Sequence, residues 1–452
     1  MSEPAAAPSP LLTAPILPTL LRFALPNMGA MLATALAAIA ETRYVGSFGS
    51  PALAGMALVF PFVMFQMMLS AGAMGGGVSS AVSRALGAGD PARASALAVH
   101  AVWIALAAGT VYMIAMLTLG STLLSALGGR GEALAQALAY GQVAFLGSVF
   151  VWVVNTLASV IRGAGNMTVP SATLFTVALL QVGLGGAFGL GWGPFPRLGM
   201  AGVAAGSVIA YGAGSAWLWF HLASGRSRIL LRVRATPFQR ALFGDILRVG
   251  AVACVSPLQT VLTILVLTRL VAQFGTDALA GYGVGTRLEF LLVPIAFAVG
   301  VASVPLVGMA VGAGRIARAR RAAWTAAGLA TAILAALGLI VTIAPDLWSR
   351  LFTQDPAVLA AAAAYFGWAG PVYGLFGLGL SLYFSSLGAG KAIGPVLAGT
   401  LRLVMVAGGG VVLALWQTPT WTIFALLAAG MAAYGISTVL FVRYTPWGEE
   451  RA

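Results

Sequence analysis

The sequence predicts an all-α integral membrane protein with twelve transmembrane helices, arranged as two pseudo-symmetric six-helix lobes. Three observations support this prediction. Of 452 residues, 60% are hydrophobic and only 8% are charged, with a mean hydropathy of +0.97, a composition that excludes an ordinary globular domain. Apolar runs long enough to cross a bilayer, about 20 residues each, recur along the chain. The second half of the chain also repeats motifs of the first half.

The twelve helices are delimited by Gly, Pro and Arg clusters that interrupt the apolar runs. Their predicted ranges are 16–46, 52–82, 95–120, 133–161, 168–191, 198–223, 242–272, 278–307, 320–345, 357–387, 393–416 and 420–443. The second, fourth, seventh, eighth and tenth are longer than one bilayer thickness, so we expect them to tilt or to extend beyond the membrane. The predicted divisions are a disordered tail at 1–15, an N-terminal lobe at 16–225, a linker at 226–241, a C-terminal lobe at 242–445 and a tail at 446–452.

The distribution of basic residues predicts the orientation. The net charge is +13, but the basic residues lie in short segments between apolar spans, so they do not indicate a nucleic-acid partner. One side of the alternating helices collects Arg22, Arg84, Arg93, Arg162, Arg226, Arg228, Arg232, Arg234, Arg240, Arg248, Arg315, Arg318, Arg320, Arg321, Lys391, Arg402, Arg443 and Arg451. The other side has Arg43, Arg130, Arg197, Arg269 and Arg350. The positive-inside rule then predicts an inner (plasma) membrane protein with both termini and the linker in the cytoplasm.

The residues that carry metal, redox or enzyme chemistry are scarce. Cys254 is the single cysteine, and His100 and His221 are too far apart in the sequence to suggest a metal site. A membrane-embedded transferase would need a cluster of His, Asp or Glu at a membrane surface, and the sequence contains none. The N-terminus has no basic segment and contains Glu3, unlike a signal peptide. We therefore expect no enzymatic activity and no cofactor, and a monomer in the lipid bilayer.

An internal repeat organises the chain, with matches offset by 225 or 226 positions. The matching pairs are FGSPALAG at Phe48–Gly55 with FGTDALAG at Phe274–Gly281, LGAGDPARA at Leu86–Ala94 with VGAGRIARA at Val311–Ala319, and RGAGNMTVP at Arg162–Pro170 with LGAGKAIGP at Leu387–Pro395. Each half has six helices, an even number, so both copies insert in the same direction. Such parallel repeats are related by an axis along the membrane normal.

Glu41 is an acid inside the first predicted helix. An ionised carboxylate in hydrocarbon costs several kcal/mol, so an intramembrane acid indicates a functional site that faces a cavity or a partner. The repeat places Leu267 at the equivalent position, so this carboxylate belongs to the N-terminal half only. The alternative is a structural ion pair with Arg43 or another arginine near the outer surface. Residues two apart on a helix point away from each other, which argues against Arg43.

Several other residues are candidates for the same site. Pro26 removes a helical hydrogen bond and favours a kink, which could bend with protonation of Glu41, although prolines are also ordinary in transmembrane helices. Polar residues that could line a cavity in the N-terminal half are Asn27, Thr34, Gln66, Gln142, Asn155, Thr176, Gln181 and Ser207. For each of these, interhelical hydrogen bonding is the alternative interpretation.

Glu289 is the second acid that lies away from the chain ends and from the Gly-, Pro- and Arg-rich breaks, and the repeat places Val63 at its equivalent position. This acid therefore belongs to the C-terminal half only. It could take part in coupling, or it could pair with an arginine such as Arg287 on a neighbouring element and set the geometry of the lobe. We expect the two lobes to share a scaffold and to differ in chemistry.

An ordered set of motifs resembles the multidrug and toxic compound extrusion (MATE) family over nearly the whole chain. The motifs are Glu41 with Gly46, Gly49 and Ala52–Ala54, LGAGDPARA, RGAGNMTVP, GPFPRLGMAG at Gly193–Gly202, GTRLEF, and PLVGMAVGAG at Pro305–Gly314. The resemblance implies two six-helix lobes around a central cleft. It also implies export of organic cations or drugs in exchange for protons or sodium by a rocker-switch motion.

The resemblance also assigns roles to individual residues. The first-helix acid of the family, usually Asp, matches Glu41, and the first-helix proline matches Pro26. Sodium-associated members carry Asn and, four residues later, Asp on the fifth helix, where this chain has Gln181 and Gly185, and the sixth-helix hydroxyl would be Ser207. Acids that some members carry in the seventh and tenth helices do not occur here. The pattern is closest to the DinF-like branch and indicates proton coupling rather than sodium coupling.

These observations predict a secondary active antiporter that exports amphipathic or cationic compounds in exchange for protons. Protonation of Glu41 from outside would weaken its hold on the substrate, and deprotonation toward the inside would reset the cycle. The alternatives are a sodium-coupled drug antiporter and a lipid or lipid-linked saccharide flippase of related architecture. A basic lateral groove for pyrophosphate would favour the flippase, and arginines inside the predicted helices are sparse.

Overall fold

The computed structural model describes residues 10–233, 236–416 and 419–450, and these residues form long helices joined by short connections. The membrane-length helices are α1 Ile16–Gly46, α2 Ser50–Gly87, α3 Pro91–Ala126, α4 Gly131–Leu146 with Ser148–Gly163, α5 Thr168–Leu190, α6 Gly199–Ala223, α7 Arg240–Ala272, α8 Thr276–Gly312, α9 Ile316–Ile343, α10 Pro356–Gly388, α11 Ile393–Leu415 and α12 Trp421–Tyr444. Over the described residues, eleven spans are long and apolar enough to cross a membrane without a sharp bend, and the bent pair of helices in α4 makes the twelfth. The predicted all-α fold with twelve spans is confirmed.

Four of the five helices predicted to exceed one bilayer thickness are interrupted. Helix α4 bends by 47° at Gly147, where a Cβ atom would lie 2.5 Å from the side chain of Val208. Helix α2 contains a π-helical segment at Met68–Met74, and α10 contains a 3-10 turn at Gly370–Val372. Helix α7 has a break at Cys254. Breaks of this kind satisfy local packing and allow one long apolar run to change direction.

The two halves of the chain use equivalent residues for close helix packing. A Cβ atom at Gly55 would lie 2.7 Å from the backbone nitrogen of Ala137, and one at the equivalent Gly281 would lie 2.8 Å from the nitrogen of Ala362. Ala137 and Ala362 are themselves equivalent in the repeat. In both halves, therefore, the second helix approaches the fourth at a glycine, because a side chain there would overlap the neighbouring backbone.

The described chain divides into two compact units. Leu25–Gly250 form the N-terminal unit, and the described residues of Ala251–Ala452 form the C-terminal unit together with those of Met1–Ala24. The predicted division lay in the linker at 226–241, whereas the units divide within α1 and within α7, at positions that the repeat makes equivalent. The start of α7 packs on α2, since a Cβ atom at Gly77 would lie 2.6 Å from Gly250 Cα.

The chain start differs from the predicted disordered tail at 1–15. Pro10–Leu12 form a 3-10 helix, in which Leu11 and Leu12 are buried. The Leu12 carbonyl accepts a hydrogen bond of 2.9 Å from Arg315 Nη1, and the Leu11 carbonyl accepts one of 2.9 Å from Arg318 Nη2. The prediction is wrong for this turn, because arginine donors and apolar burial hold it in place. Residues 1–9 lie outside the described residues.

The linker between the halves packs against helix α3. Ile229 is buried, and the Leu230 amide donates a hydrogen bond of 3.1 Å to Ser95 Oγ. The Gln239 amide donates one of 2.9 Å to His100 Nε2, immediately before α7 begins. The described part of the linker is therefore fixed to the N-terminal unit at several points.

Candidate functional site

The candidate site is built around Glu41, which lies on α1 and is 3% exposed. It is the only carboxylate among the fully buried side chains of the described chain. The ion pairs found among the described residues are Arg93 with Asp245 and Arg350 with Asp346. The side chain of Arg43 is exposed. The alternative of a structural ion pair between Glu41 and Arg43 is therefore wrong.

Two neutral donors hold the carboxylate. Gln181 Nε2 on α5 and Ser207 Oγ on α6 each donate a hydrogen bond of 2.8 Å to Glu41 Oε1. Hydrogen bonds to a carboxylate stabilise its ionised form without adding an opposite charge. The two bonds therefore orient the carboxylate and offset part of the cost of burying its charge, and they leave that charge available to a proton or a cationic ligand.

Glycines bring the two donor helices together. A Cβ atom at Gly206 on α6 would overlap the backbone of Gly185 on α5, and one at Gly202 would lie 2.8 Å from the backbone nitrogen of Gly189. Because the two helices lie this close, Gln181 on α5 and Ser207 on α6 reach the same carboxylate oxygen. Small residues permit this close backbone approach in membrane helices.

Three tyrosines lie near the carboxylate. Tyr44 on α1, Tyr140 on α4 and Tyr211 on α6 interact electrostatically with Glu41, and the hydroxyl of Tyr140 also interacts with Ser207. The sequence-based prediction missed all three. The repeat carried a signal for one of them, because Tyr140 is equivalent to Tyr365, which contacts the second acid.

The other predicted cavity residues lie in different surroundings. Gln66 Nε2 donates a hydrogen bond of 3.1 Å to the Ser148 carbonyl, and Asn155 Nδ2 donates one of 2.9 Å to Ser70 Oγ in the π-helical segment. These buried bonds join α2 to α4. For Gln66 and Asn155, the structure agrees with the alternative of interhelical hydrogen bonding.

The remaining candidates bond locally or are without a described partner. Thr34 and Thr176 donate to carbonyls of their own helices, at 3.0 and 2.9 Å, and Thr176 is exposed. Gln142 is also exposed. Asn27 is buried, and its Nδ2 atom has no hydrogen-bond partner among the described residues. Asn27 follows Pro26, which lies in the interior of α1 as predicted.

The second acid, Glu289 on α8, accepts a hydrogen bond from the hydroxyl of Tyr365 on α10. It also interacts electrostatically with Arg402 on α11. The predicted pairing with Arg287 is wrong, because the Arg287 guanidinium is exposed and lies over the Phe352 ring, 4.8 Å from its centroid. Arg402 lies well inside α11, within the predicted helix 393–416, and the basic-residue pattern had counted it with the cytoplasmic side.

Comparison with known proteins identifies the family. A family model described as MatE matches residues 26–185 and 252–412, one stretch in each half of the repeat. The chain belongs to the MatE family. It is accordingly a multi-pass membrane transporter of the multidrug efflux type rather than an enzyme, and its substrates are small molecules.

Curated relatives of this MatE protein include transporters with different described substrates. A protein of Deinococcus radiodurans described as "Probable multidrug resistance protein NorM" is 30% identical over 358 residues, which cover 76% of each chain. NorM of Thermotoga maritima is 27% identical, over 75% of this chain and 73% of the relative. The FAD transporter of Shewanella oneidensis is 26% identical, over 78% of each.

Solved structures agree on the fold. A MOP superfamily transporter from Pyrococcus furiosus superposes with a TM-score of 0.88 at 22% identity, over 98% of each chain. A multidrug resistance MATE family transporter in an outward-facing conformation superposes with a TM-score of 0.86 at 22% identity, also over 98% of each chain. At this identity the likeness shows the fold alone.

Proposed function

We propose that this transporter exports amphipathic organic cations across the plasma membrane in exchange for protons, with Glu41 as the coupling residue. The observation that carries the proposal is the buried Glu41 carboxylate, which is held by Gln181 and Ser207 and has no arginine partner among the described residues. We keep the DinF-like, proton-coupled pattern that the sequence resembles as part of this proposal.

The chemistry of exchange follows from the cost of a buried charge. An ionised carboxylate in a low-dielectric setting is stabilised by a bound cation or is neutralised by a proton. Two hydrogen bonds from neutral groups hold Glu41 in place and do not satisfy its charge. A proton and an organic cation therefore compete for one carboxylate, and competition at one site produces exchange when access alternates between the two sides of the membrane.

The proposed cycle consists of one protonation and one deprotonation of Glu41. Facing outward, Glu41 takes a proton from outside and releases the cation, and facing inward, it loses the proton to the cytoplasm and binds the next cation. A rocker-switch motion of the two lobes would provide alternating access, with both termini in the cytoplasm. We further propose that the rings of the tyrosines near Glu41 contact the organic cation, since aromatic faces attract cations.

Transport in liposomes tests the proposal. Purified protein is reconstituted in liposomes loaded with ethidium, and efflux is followed under an imposed proton or sodium gradient. We expect proton-driven efflux in the wild type and in Glu132→Gln, which changes an exposed acid of the same unit. We expect efflux to be lost in Glu41→Gln. Proton-driven efflux that persists in Glu41→Gln would contradict the assignment of the coupling residue.

The same assay separates the alternatives. Sodium-driven efflux would mean that Glu41, Gln181 and Ser207 serve as oxygen ligands for a hard cation. FAD is a second cargo to load, because the relative from Shewanella oneidensis is described as an FAD transporter. Movement of a fluorescent lipid without efflux of any soluble compound would favour the flippase.

A further inference from the structure

His100 on α3 joins its own helix to the residue that precedes α7. It is 1% exposed. Its Nδ1 atom lies 2.8 Å from the Ala96 carbonyl oxygen, and its Nε2 atom lies 2.9 Å from the Gln239 amide nitrogen. The His100 ring also packs edge-on against Phe243 on α7, with 4.7 Å between the ring centroids. All of these residues belong to the N-terminal unit.

The two hydrogen-bond partners of the His100 ring determine its protonation state. A carbonyl oxygen only accepts hydrogen bonds, so Nδ1 carries a hydrogen, and a backbone amide only donates, so Nε2 carries none. The ring is therefore neutral. A protonated imidazole carries a hydrogen on both nitrogens and offers no acceptor to the Gln239 amide. Protonation of His100 and its bond to Gln239 therefore exclude each other.

The start of α7 also disfavours a positive charge on His100. Helix α7 begins at Arg240, and the Gln239 carbonyl accepts a hydrogen bond of 3.2 Å from the Leu242 amide in its first turn. The N-terminal end of a helix carries a partial positive charge. An imidazolium beside the Gln239 amide is therefore repelled by α7, in addition to lacking an acceptor for that amide.

We propose that His100 is a pH-sensitive latch that ties the end of the linker and the start of α7 to α3. The neutral ring closes the latch, and a proton on Nε2 opens it. Because only the open form accommodates the charged ring, lowering the pH shifts the equilibrium toward the open form. Gln239 itself is exposed, so the latch responds to the pH on the side of the membrane that the linker faces. The latch does not rest on the proposed exchange at Glu41.

The other ionisable side chains on the elements around His100 do not change charge in the same pH range. Arg93 on α3 pairs with Asp245 on α7, and Arg84 on α2 interacts electrostatically with both and with Arg248. The remaining ionisable residues on these elements and the linker are Asp90, Tyr112, Glu132, Tyr140, Arg162, Arg226, Arg228, Arg232, Arg234, Arg240, Cys254 and Arg269. Arginine is ordinarily charged, carboxylates ionised, and phenols and thiols neutral between about pH 5 and 8, whereas histidine titrates there.

The other half of the repeat fastens the equivalent segment with arginines. Helix α9 is the counterpart of α3, and α1 is the counterpart of α7. The turn before α1 is held by Arg315 and Arg318, which donate to its carbonyls, and the position equivalent to His100 is Thr325. A guanidinium keeps its charge throughout this pH range, so we expect only the latch at His100 to respond to pH.

Hydrogen–deuterium exchange at two pH values tests the latch. Full-length protein in lipid nanodiscs is labelled at about pH 7.5 and about pH 5.5, with labelling times scaled for the intrinsic exchange rate, and single amides are resolved by mass spectrometry with electron-transfer fragmentation. We expect the protection of the Gln239 amide to fall about tenfold at the lower pH, as for protonation of a free imidazole. The Leu230 amide is the internal control, because it bonds to the Ser95 hydroxyl on the same helix, which does not titrate.

Substitutions of the histidines separate the latch from general loosening. His100→Gln places a neutral amide oxygen near the position of Nε2, so Gln239 should stay protected at both pH values. His100→Phe keeps a ring and removes the acceptor, so protection should be low at both. His221→Gln changes the other histidine of the chain and should behave like the wild type, as should Glu41→Gln.

The wild type alone is sufficient to reject the latch. Equal Gln239 protection at both pH values, or a parallel loss at Leu230, would overturn the proposal. A pH-dependent loss in His100→Gln as large as in the wild type would overturn it as well. If neither His100 variant folds, the ratio of Gln239 to Leu230 protection in the wild type decides: a ratio that falls about tenfold supports the latch, and an unchanged ratio rejects it.

Discussion

At the scale of single residues, the candidate site depends on how one carboxylate oxygen is held. Glu41 Oε1 accepts both described hydrogen bonds, from helices α5 and α6. The length of the side chain therefore sets whether the carboxylate reaches its donors. The family that the sequence resembles usually has Asp at this position, and the Glu41 side chain is longer by one methylene. We therefore expect the positions of Gln181 and Ser207 to suit the longer side chain.

Glu41→Asp keeps the negative charge and shortens the side chain by one methylene. We expect the shorter side chain to lose at least one of its hydrogen bonds to Gln181 and Ser207, so ethidium efflux falls and still follows the proton gradient. Efflux from liposomes at several proton gradients measures this, with Glu41→Gln as the variant that cannot titrate. Wild-type efflux in Glu41→Asp would show that the two hydrogen bonds do not matter for transport.

Removing the two hydrogen-bond donors of Glu41 should change the pH dependence of ethidium binding. The Gln181 and Ser207 bonds stabilise the ionised carboxylate, so Gln181→Ala with Ser207→Ala favours the protonated form. We expect the midpoint of pH-dependent ethidium binding to move to higher pH, by about one unit, since one unit corresponds to about 1.4 kcal/mol. Thr176→Ala is the control, because its hydroxyl bonds only to its own helix. A midpoint that stays or falls would contradict this role.

At the scale of helices, α1 combines a proline with the acid. Pro26 lies inside α1 and supplies no amide hydrogen, so the helix lacks one backbone hydrogen bond on the N-terminal side of Glu41. We expect Pro26→Ala to stiffen α1, lowering proton-driven efflux while leaving ethidium binding nearly unchanged. Pro61→Ala in α2 is the control, because it also restores a helical amide. Equal efflux in Pro26→Ala and the wild type would show that the proline is an ordinary helix feature.

The contact between α5 and α6 should tolerate no side chain at its closest point. Gly206→Ala places a Cβ atom against the Gly185 backbone, and we expect a loss of stability of about 1–3 kcal/mol, typical of overpacking. Thermal unfolding in detergent, followed by tryptophan fluorescence, measures it. Gly183→Ala is the matched control on α5, where a Cβ atom meets nothing within 4 Å. Similar unfolding temperatures for the two variants would contradict the close contact between Gly206 and the Gly185 backbone.

At the scale of the whole molecule, length and hydropathy were enough to predict twelve spans, because a bilayer imposes one length on every crossing segment. The internal repeat predicted the two halves. The interruptions in α2, α4 and α10 were not predictable. Each depends on tertiary contacts, such as Val208 against Gly147, that leave no periodic pattern in the sequence. The ordered turn at Pro10–Leu12 was missed for the same reason, since its partners Arg315 and Arg318 are some three hundred residues away.

The site was predictable only where a residue was unusual. Glu41 stood out because a carboxylate is rare in a membrane helix. Gln181 and Ser207 entered through the family resemblance and as polar residues in apolar helices. Tyr140 and Tyr211 did not stand out, because tyrosine is compatible with lipid, core and cavity alike. The basic-residue pattern gave no sign that Arg402 interacts with Glu289, since it counts charges by side and not by what surrounds them.

The most direct measurement of the central claim is proton release on substrate binding. Purified protein in weakly buffered detergent solution is titrated with ethidium near the midpoint of its pH-dependent binding, and released protons are recorded with a pH indicator. We predict proton release by the wild type and by Glu132→Gln, approaching one proton per bound cation at lower pH, and none by Glu41→Gln. Ethidium binding without proton release by the wild type, or equal release by Glu41→Gln, would contradict the claim that cation and proton compete for Glu41.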